Sequence, residues 1–144
     1  LRELLDHEFS AELKAGRPKI YKWDYENSRL ETILSPEGVL SNNYTKGTPC
    51  IQADIIGDWR EEAVWRNDDN TELRIYTTTI PTEYRFYTLM HDSVYRMSAA
   101  FQNTAYNQCT QTGFYIGPEM DDIPVPEHDY VRGELLPEFT EDID

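Results

Sequence analysis

Cysteine is nearly absent: the 144 residues hold only Cys50 and Cys109, so the chain is no disulfide-stapled scaffold, and whether these two pair is left open by sequence. Basic residues are scarce. Thirteen Lys and Arg face 27 Asp and Glu, for a formal charge of −14, which argues against sequence-independent binding to a phosphate backbone or an anionic membrane. Nucleic acid and membrane are therefore not expected partners. No apolar run approaches the roughly 20 residues that span a bilayer. Initiator methionine is lacking too, and Leu1-Arg2-Glu3-Leu4-Leu5 has no charged-then-apolar leader pattern, so the expectation is an excerpt or a chain whose leader was removed.

Aromatic residues are plentiful. Ten Tyr, three Trp and five Phe, with 39% hydrophobic residues overall, suit strands and sugar-facing surfaces better than a helical bundle. Acidity is concentrated at one end: residues 119–144 hold ten carboxylates and one Arg, with Pro124, Pro126 and Pro137, and read as an acidic extension. The expected division is a folded part, 1–118, and this tail, 119–144.

Alternation places strands at Ile20-Tyr21-Lys22-Trp23-Asp24 and Leu30-Glu31-Thr32-Ile33-Leu34, joined as a hairpin through Glu26-Asn27-Ser28. A second hairpin is expected from 63–66 and 73–79 around Asn67-Asp68-Asp69-Asn70. Further strands are expected at 84–88, 97–101 and 113–116. Residues 4–14 read as a short helix ended by Gly16-Arg17-Pro18. The class is all-β, with a sandwich, barrel or propeller as its architecture.

Two constellations could carry chemistry. In Asp54-Ile55-Ile56-Gly57-Asp58-Trp59-Arg60-Glu61-Glu62, the residues Asp54, Asp58 and Glu62 fall at the first, fifth and ninth places of a calcium loop, where alternate positions supply oxygens to one hard cation. Ile56 occupies a place where a further carboxylate would help. The alternative is that Asp54 and Asp58 cap backbone N–H groups in a tight turn while Glu62 pairs with Arg60 or Arg66 on the surface. The second constellation is Ser41-Asn42-Asn43-Tyr44-Thr45-Lys46-Gly47-Thr48-Pro49, a polar loop suited to a hydroxylated, anionic ligand, or else a plain turn. His7, His91 and His128 show no metal-ligand spacing, and His91 reads as a structural hydrogen-bonding residue.

The stretch 48–62, then 73–83 and Tyr87-Thr88-Leu89-Met90-His91-Asp92, resembles the C-terminal part of the rhamnogalacturonan lyases of polysaccharide lyase family eleven. Ala105-Tyr106-Asn107-Gln108, Thr112-Gly113-Phe114-Tyr115-Ile116-Gly117 and the upstream 20–24 continue the likeness, which runs over roughly residues 18–117. The resemblance implies an eight-bladed β-propeller that binds calcium and cleaves the rhamnogalacturonan I backbone of pectin by β-elimination, secreted, periplasmic or on the cell surface. It implies that Asn43, Tyr44, Thr45 and Tyr106 bind substrate and that Lys46 is the candidate base or a partner for a uronate carboxylate. It implies calcium at Asp54, Asp58 and Glu62. Tyr44 stands where the family has glycine, and Cys109 where it tends to have proline. Eight blades need several times this length, so only about the last two fit, and the segment alone is expected to be inactive, its partners being the remaining blades. The competing expectations are a non-catalytic, calcium-stabilised carbohydrate-binding β module, and a purely structural portion of a propeller.

Overall fold

A computed structural model describes residues 3–102, 104, 108–117, 119, 120 and 122–126. Three strands, β1 (Leu4–Ser10), β2 (Ala15–Asp24) and β3 (Arg29–Leu34), form an antiparallel meander. The hairpin expected between the last two is present, with Asp24 capping Glu26 N (3.0 Å) and Asn27 N (3.2 Å) in its turn. Residues 4–10 are extended, not helical: Leu4 to Ser10 pair in unbroken register with Tyr21 to Ala15. The helix formers of Ala11-Glu12-Leu13-Lys14 supply only the turn, because seven ladder pairs outweigh a propensity difference of a few tenths of a kcal/mol per residue.

The second sheet is built on β6 (Glu62–Asn67). One edge of β6 carries β7 (Leu73–Tyr76), the second expected hairpin, shortened by three residues. Its other edge carries two short strands in succession: β4 (Val39–Leu40) pairs with Asn67 and Arg66, and β5 (Ile51–Ala53) with Val64, Ala63 and Glu62. Residues 41–50 are thus a loop leaving and rejoining one edge of the sheet. Strands of two and three residues are too short to show a period, which is why sequence did not reveal them.

Val39, Ala63 and Trp65 form the buried core, and Leu5, Ile20, Leu34 and Tyr76 pack on it from both sheets. Trp65 is fully buried and meets the Tyr76 ring edge-on at 5.3 Å between centroids. Arg17 ties the sheets together, donating to Val39 O (2.9 Å) and pairing with Asp68, whose carboxyl its guanidinium holds below the usual range. Trp23, Leu30, Ile33 and Tyr25 remain exposed on the three-stranded sheet.

Residues 97–101 belong to the helix α1 (Ser93–Phe101), not to a strand. Asp92 caps it by accepting from Val94 N (3.1 Å), and Tyr95 and Ala99, four residues apart, are its buried face. Five apolar-leaning residues fit either period; the cap upstream was the deciding signal. Residues 84–88 and 113–116 also form no strand, since β-prone side chains make one only where a neighbouring backbone completes the ladder. The chain is therefore mostly β with one helix, in two antiparallel sheets that do not close on themselves. Most of the acidic extension, residues 127–144, lies outside the described residues.

Candidate functional site

The polar loop is closed at its neck by Asn42 and Thr48, whose backbones bridge with Asn42 N donating to Thr48 O at 2.7 Å. The Asn42 side chain is spent inward, donating to Cys50 Sγ (3.1 Å) and accepting from Arg66 Nε (3.3 Å). Cys50 and Cys109 are both thiols, the latter accepting from Gln111 Nε2 at 3.0 Å. Between the two neck residues, Tyr44–Lys46 make one 3-10 turn flanked by Asn43 and Gly47, both left-handed. Asn43, Tyr44, Thr45 and Lys46 are exposed one after another, so the amide, ring, hydroxyl and ammonium face solvent from one short arch. The loop unites four of the expected site residues; Tyr106 lies outside the described ones.

Tyr44 has φ 56, a conformation that costs a side-chain-bearing residue about 1–2 kcal/mol relative to glycine. It keeps that glycine-like backbone with its ring edge-on to Phe9 of β1, 4.9 Å between centroids. The ring contact offsets part of the strain, by about 0.5–1.5 kcal/mol.

The carboxylates of 54–62 are arranged differently from a metal loop. Asp54 is buried and accepts, through Oδ2, from Thr88 Oγ1 (2.7 Å) and Leu89 N (2.8 Å). Glu62, fully buried at the start of β6, accepts through Oε2 from Ile55 N (2.9 Å) and Ile56 N (3.1 Å) and through Oε1 from Thr77 Oγ1 (3.0 Å). Asp58 is claimed by the guanidinium of Arg60, which holds its carboxyl below the usual carboxylate range, and its Oδ1 caps Arg60 N (3.1 Å). Arg60 also donates to Ile80 O at 2.7 Å. Among the described residues no group of three or more His, Cys, Asp or Glu is placed to hold a metal ion. The three residues named for calcium therefore do not fit one shared ion: Asp54 Oδ1, buried without a hydrogen-bond partner, is the single oxygen left over from them. Capping within a tight turn, expected as the alternative for Asp54 and Asp58, is present at Asp58; the backbone N–H that Asp54 receives is that of Leu89, 35 residues along the chain. Glu62 pairs with neither Arg60 nor Arg66 in the observed contacts; it stitches the loop backbone instead.

Sequence reading missed the partners of this loop. Tyr95, 1% exposed, receives Asp54 N (2.8 Å) and donates to Glu61 Oε1 (2.8 Å), and Thr110 bonds the same oxygen. Burial, reinforced by the Glu61 carboxylate, pushes the Tyr95 hydroxyl far above the ordinary tyrosine range, so it remains a neutral donor. Gln102 completes the seam, accepting from Gln52 N (2.8 Å) and donating to Gln52 O (2.5 Å). An Asp-initiated helix with Tyr95 and Ala99 on one face was the only hint available.

The family model described as rhamnogalacturonan lyase family 11, C-terminal domain, matches residues 1–126. The chain is 59% identical over 126 residues to the rhamnogalacturonan exolyase YesX of Bacillus subtilis strain 168, covering 88% of this chain and 20% of that protein. It is 56% identical over 108 residues to the rhamnogalacturonan endolyase YesW of the same organism, covering 75% of this chain and 17% of the relative. The crystal structure of the exotype rhamnogalacturonan lyase YesX superposes with a TM-score of 0.82 at 59% identity, over 88% of this chain and 20% of that one. The chain spans about a fifth of the length of these relatives.

Proposed function

The chain belongs to rhamnogalacturonan lyase family 11, and on that premise we propose that it is the C-terminal part of a lyase that cuts the rhamnogalacturonan I backbone of pectin by β-elimination. One observation carries the site: the arch 43–46 offers an amide, a hydroxyl and an ammonium to solvent in succession from a neck anchored in the sheet. β-Elimination removes the C5 proton of a galacturonate while negative charge grows on the adjacent carboxylate. In this reading Lys46 acts there, as the base or as the positive partner of the carboxylate. Asn43 and Thr45 hold sugar hydroxyls and Tyr44 offers a stacking face; Tyr106, which lies outside the described residues, is proposed as a further sugar-binding residue. The two open sheets are read as about the last two blades of an eight-bladed propeller. The rest of the cleft comes from the remaining blades, so the segment alone is inactive. A polymer substrate of this size places the enzyme outside the cytoplasm, in the medium, the periplasm or at the cell surface; among the described residues no helix is long and apolar enough to cross a membrane.

Calcium, the cofactor the resemblance implies, is not proposed on Asp54, Asp58 and Glu62 together, since all of their carboxylate oxygens but Asp54 Oδ1 accept from Arg60 or from backbone and hydroxyl donors. A ligand that binds only the folded state raises its melting temperature. Thermal melts of this chain in calcium and in chelator should therefore agree within about 2 °C; a calcium-dependent rise of several degrees would put a metal in this segment after all.

The proposed activity is tested by incubating rhamnogalacturonan I with the full-length protein and with residues 1–144 alone. Unsaturated uronate ends are expected from the first and none from the second. Polymer that is retained but uncut by the full-length protein would instead support the carbohydrate-binding module.

A further inference from the structure

His7 has no part in the chemistry above, yet its imidazole touches both ends of the arch. It projects from β1 onto Gly16 of β2, where a Cβ would overlap the ring, and onto Gly47, where a Cβ would lie 3.1 Å from His7 Cδ2 and 3.2 Å from Asp6 Oδ1. Both glycines are buried, and Gly47 also has φ 67, so glycine there serves the turn and the close approach of the ring together. At the other end, His7 Nδ1 and Ser41 Oγ share a hydrogen bond of 2.6 Å. Ser41 is itself fully buried, its N–H donating to Gly16 O (2.9 Å) and its hydroxyl accepting from Gly16 N (3.1 Å). Beside His7, the Phe9 ring lies 6.0 Å away between centroids and meets Tyr44 edge-on at 4.9 Å. Strand β1 thus meets this loop at three places: at Ser41 before the neck and at Gly47 after the arch through His7, and at Tyr44 on the arch through Phe9.

We propose that His7 is a positioning residue for the sugar-facing loop: by holding Ser41 and Gly47, with Phe9 backing Tyr44, it fixes the direction in which Asn43, Thr45 and Lys46 meet a uronate-bearing polysaccharide. The role in turnover rests on the proposed function of that loop; the mechanical role does not. A shift of about 1 Å in a reacting group can cost on the order of a hundredfold in rate, so a loop of exposed residues needs such an anchor if it is to act on substrate.

The test uses the full-length lyase with His7→Ala and His7→Asn, the asparagine amide reaching the place of the imidazole Nδ1. Amide hydrogen exchange, followed by mass spectrometry, should speed up about tenfold or more in peptides covering 42–48 in the alanine variant, with those covering 62–67 unchanged. On rhamnogalacturonan oligosaccharides kcat/KM should fall roughly tenfold to a hundredfold, and asparagine should recover most of both effects. Unchanged exchange at 42–48 overturns the clamp, whatever the loop does. Exchange that rises equally at 62–67 overturns it as well, since His7 would then support the fold at large. Local loosening with an unchanged kcat/KM overturns the positioning role in turnover. Full activity in Lys46 variants would refute the proposed chemistry, while the exchange result still judges the clamp.

Discussion

Replacing Lys46 by alanine in the full-length lyase should lower kcat on rhamnogalacturonan I by about two orders of magnitude or more, the range by which a positioned proton acceptor or a cation at a developing charge accelerates such a step. The residue is exposed on the arch and follows directly on Asn43, Tyr44 and Thr45, so its removal leaves the half-buried neck at Asn42 and Thr48 untouched. The loss should therefore appear in kcat without a lowered melting temperature. Lys46→Arg separates the two roles. An arginine keeps its charge and can fork onto a carboxylate, but it does not give up its proton in a protein. If Lys46 is the base, arginine should be as poor as alanine; if it pairs with the uronate carboxylate, arginine should retain activity within about tenfold. Near-normal turnover of the alanine variant would remove Lys46 from the mechanism.

The largest loss of stability is expected at Glu62. Its carboxylate is fully buried and accepts from Ile55 N, Ile56 N and Thr77 Oγ1, closing the loop that precedes β6 onto the strand. Glu62→Ala strips the acceptor from all three donors at once. Each buried donor left unmet costs about 1–3 kcal/mol, reduced where water can reach it, so a total of about 2–4 kcal/mol is expected. At this size that is roughly a 10 °C fall in melting temperature. Glu62→Gln should cost much less, about 1 kcal/mol: its carbonyl can still receive the two backbone N–H groups, and the Thr77 hydroxyl can turn to accept from the amide. Thermal unfolding of the two variants decides the matter. Equal losses, or a milder alanine, would show that the carboxylate does not hold the loop.

The same residue marks how far the sequence could be read. Spacing drew attention to Asp54, Asp58 and Glu62 and suggested one shared cation, because acidic residues at alternate positions are what such a loop requires. Spacing says nothing about which donors arrive from elsewhere. Besides the loop's own Ile55 N and Ile56 N and the neighbouring Arg60, the groups that claim these carboxylates come from Thr77, Thr88 and Leu89. Likewise, the arch 43–46 was legible as a polar loop from its composition, but its support was not. His7 is 34 residues from Ser41 along the chain, and no local pattern links them.

Two hairpins, β2–β3 and β6–β7, were determined by the sequence itself, since period-two alternation and turn residues are local properties that the backbone obeys without outside help. The polar arch with Lys46 was local in the same sense, and so was the family likeness carried by 48–62. Tertiary structure alone decided the rest. It made a strand of the helix-prone 4–10 by giving it β2 to pair with, and it split one edge of β6 between β4 and β5 so that the arch leaves the sheet between them. It also drew Asp54, Glu61 and Tyr95 into one hydrogen-bonded seam, buried at Asp54 and Tyr95. These outcomes depend on which distant backbone or side chain arrives beside a residue, and burial raises the stake of each such meeting, because an unmet polar group out of reach of water costs more than any local preference.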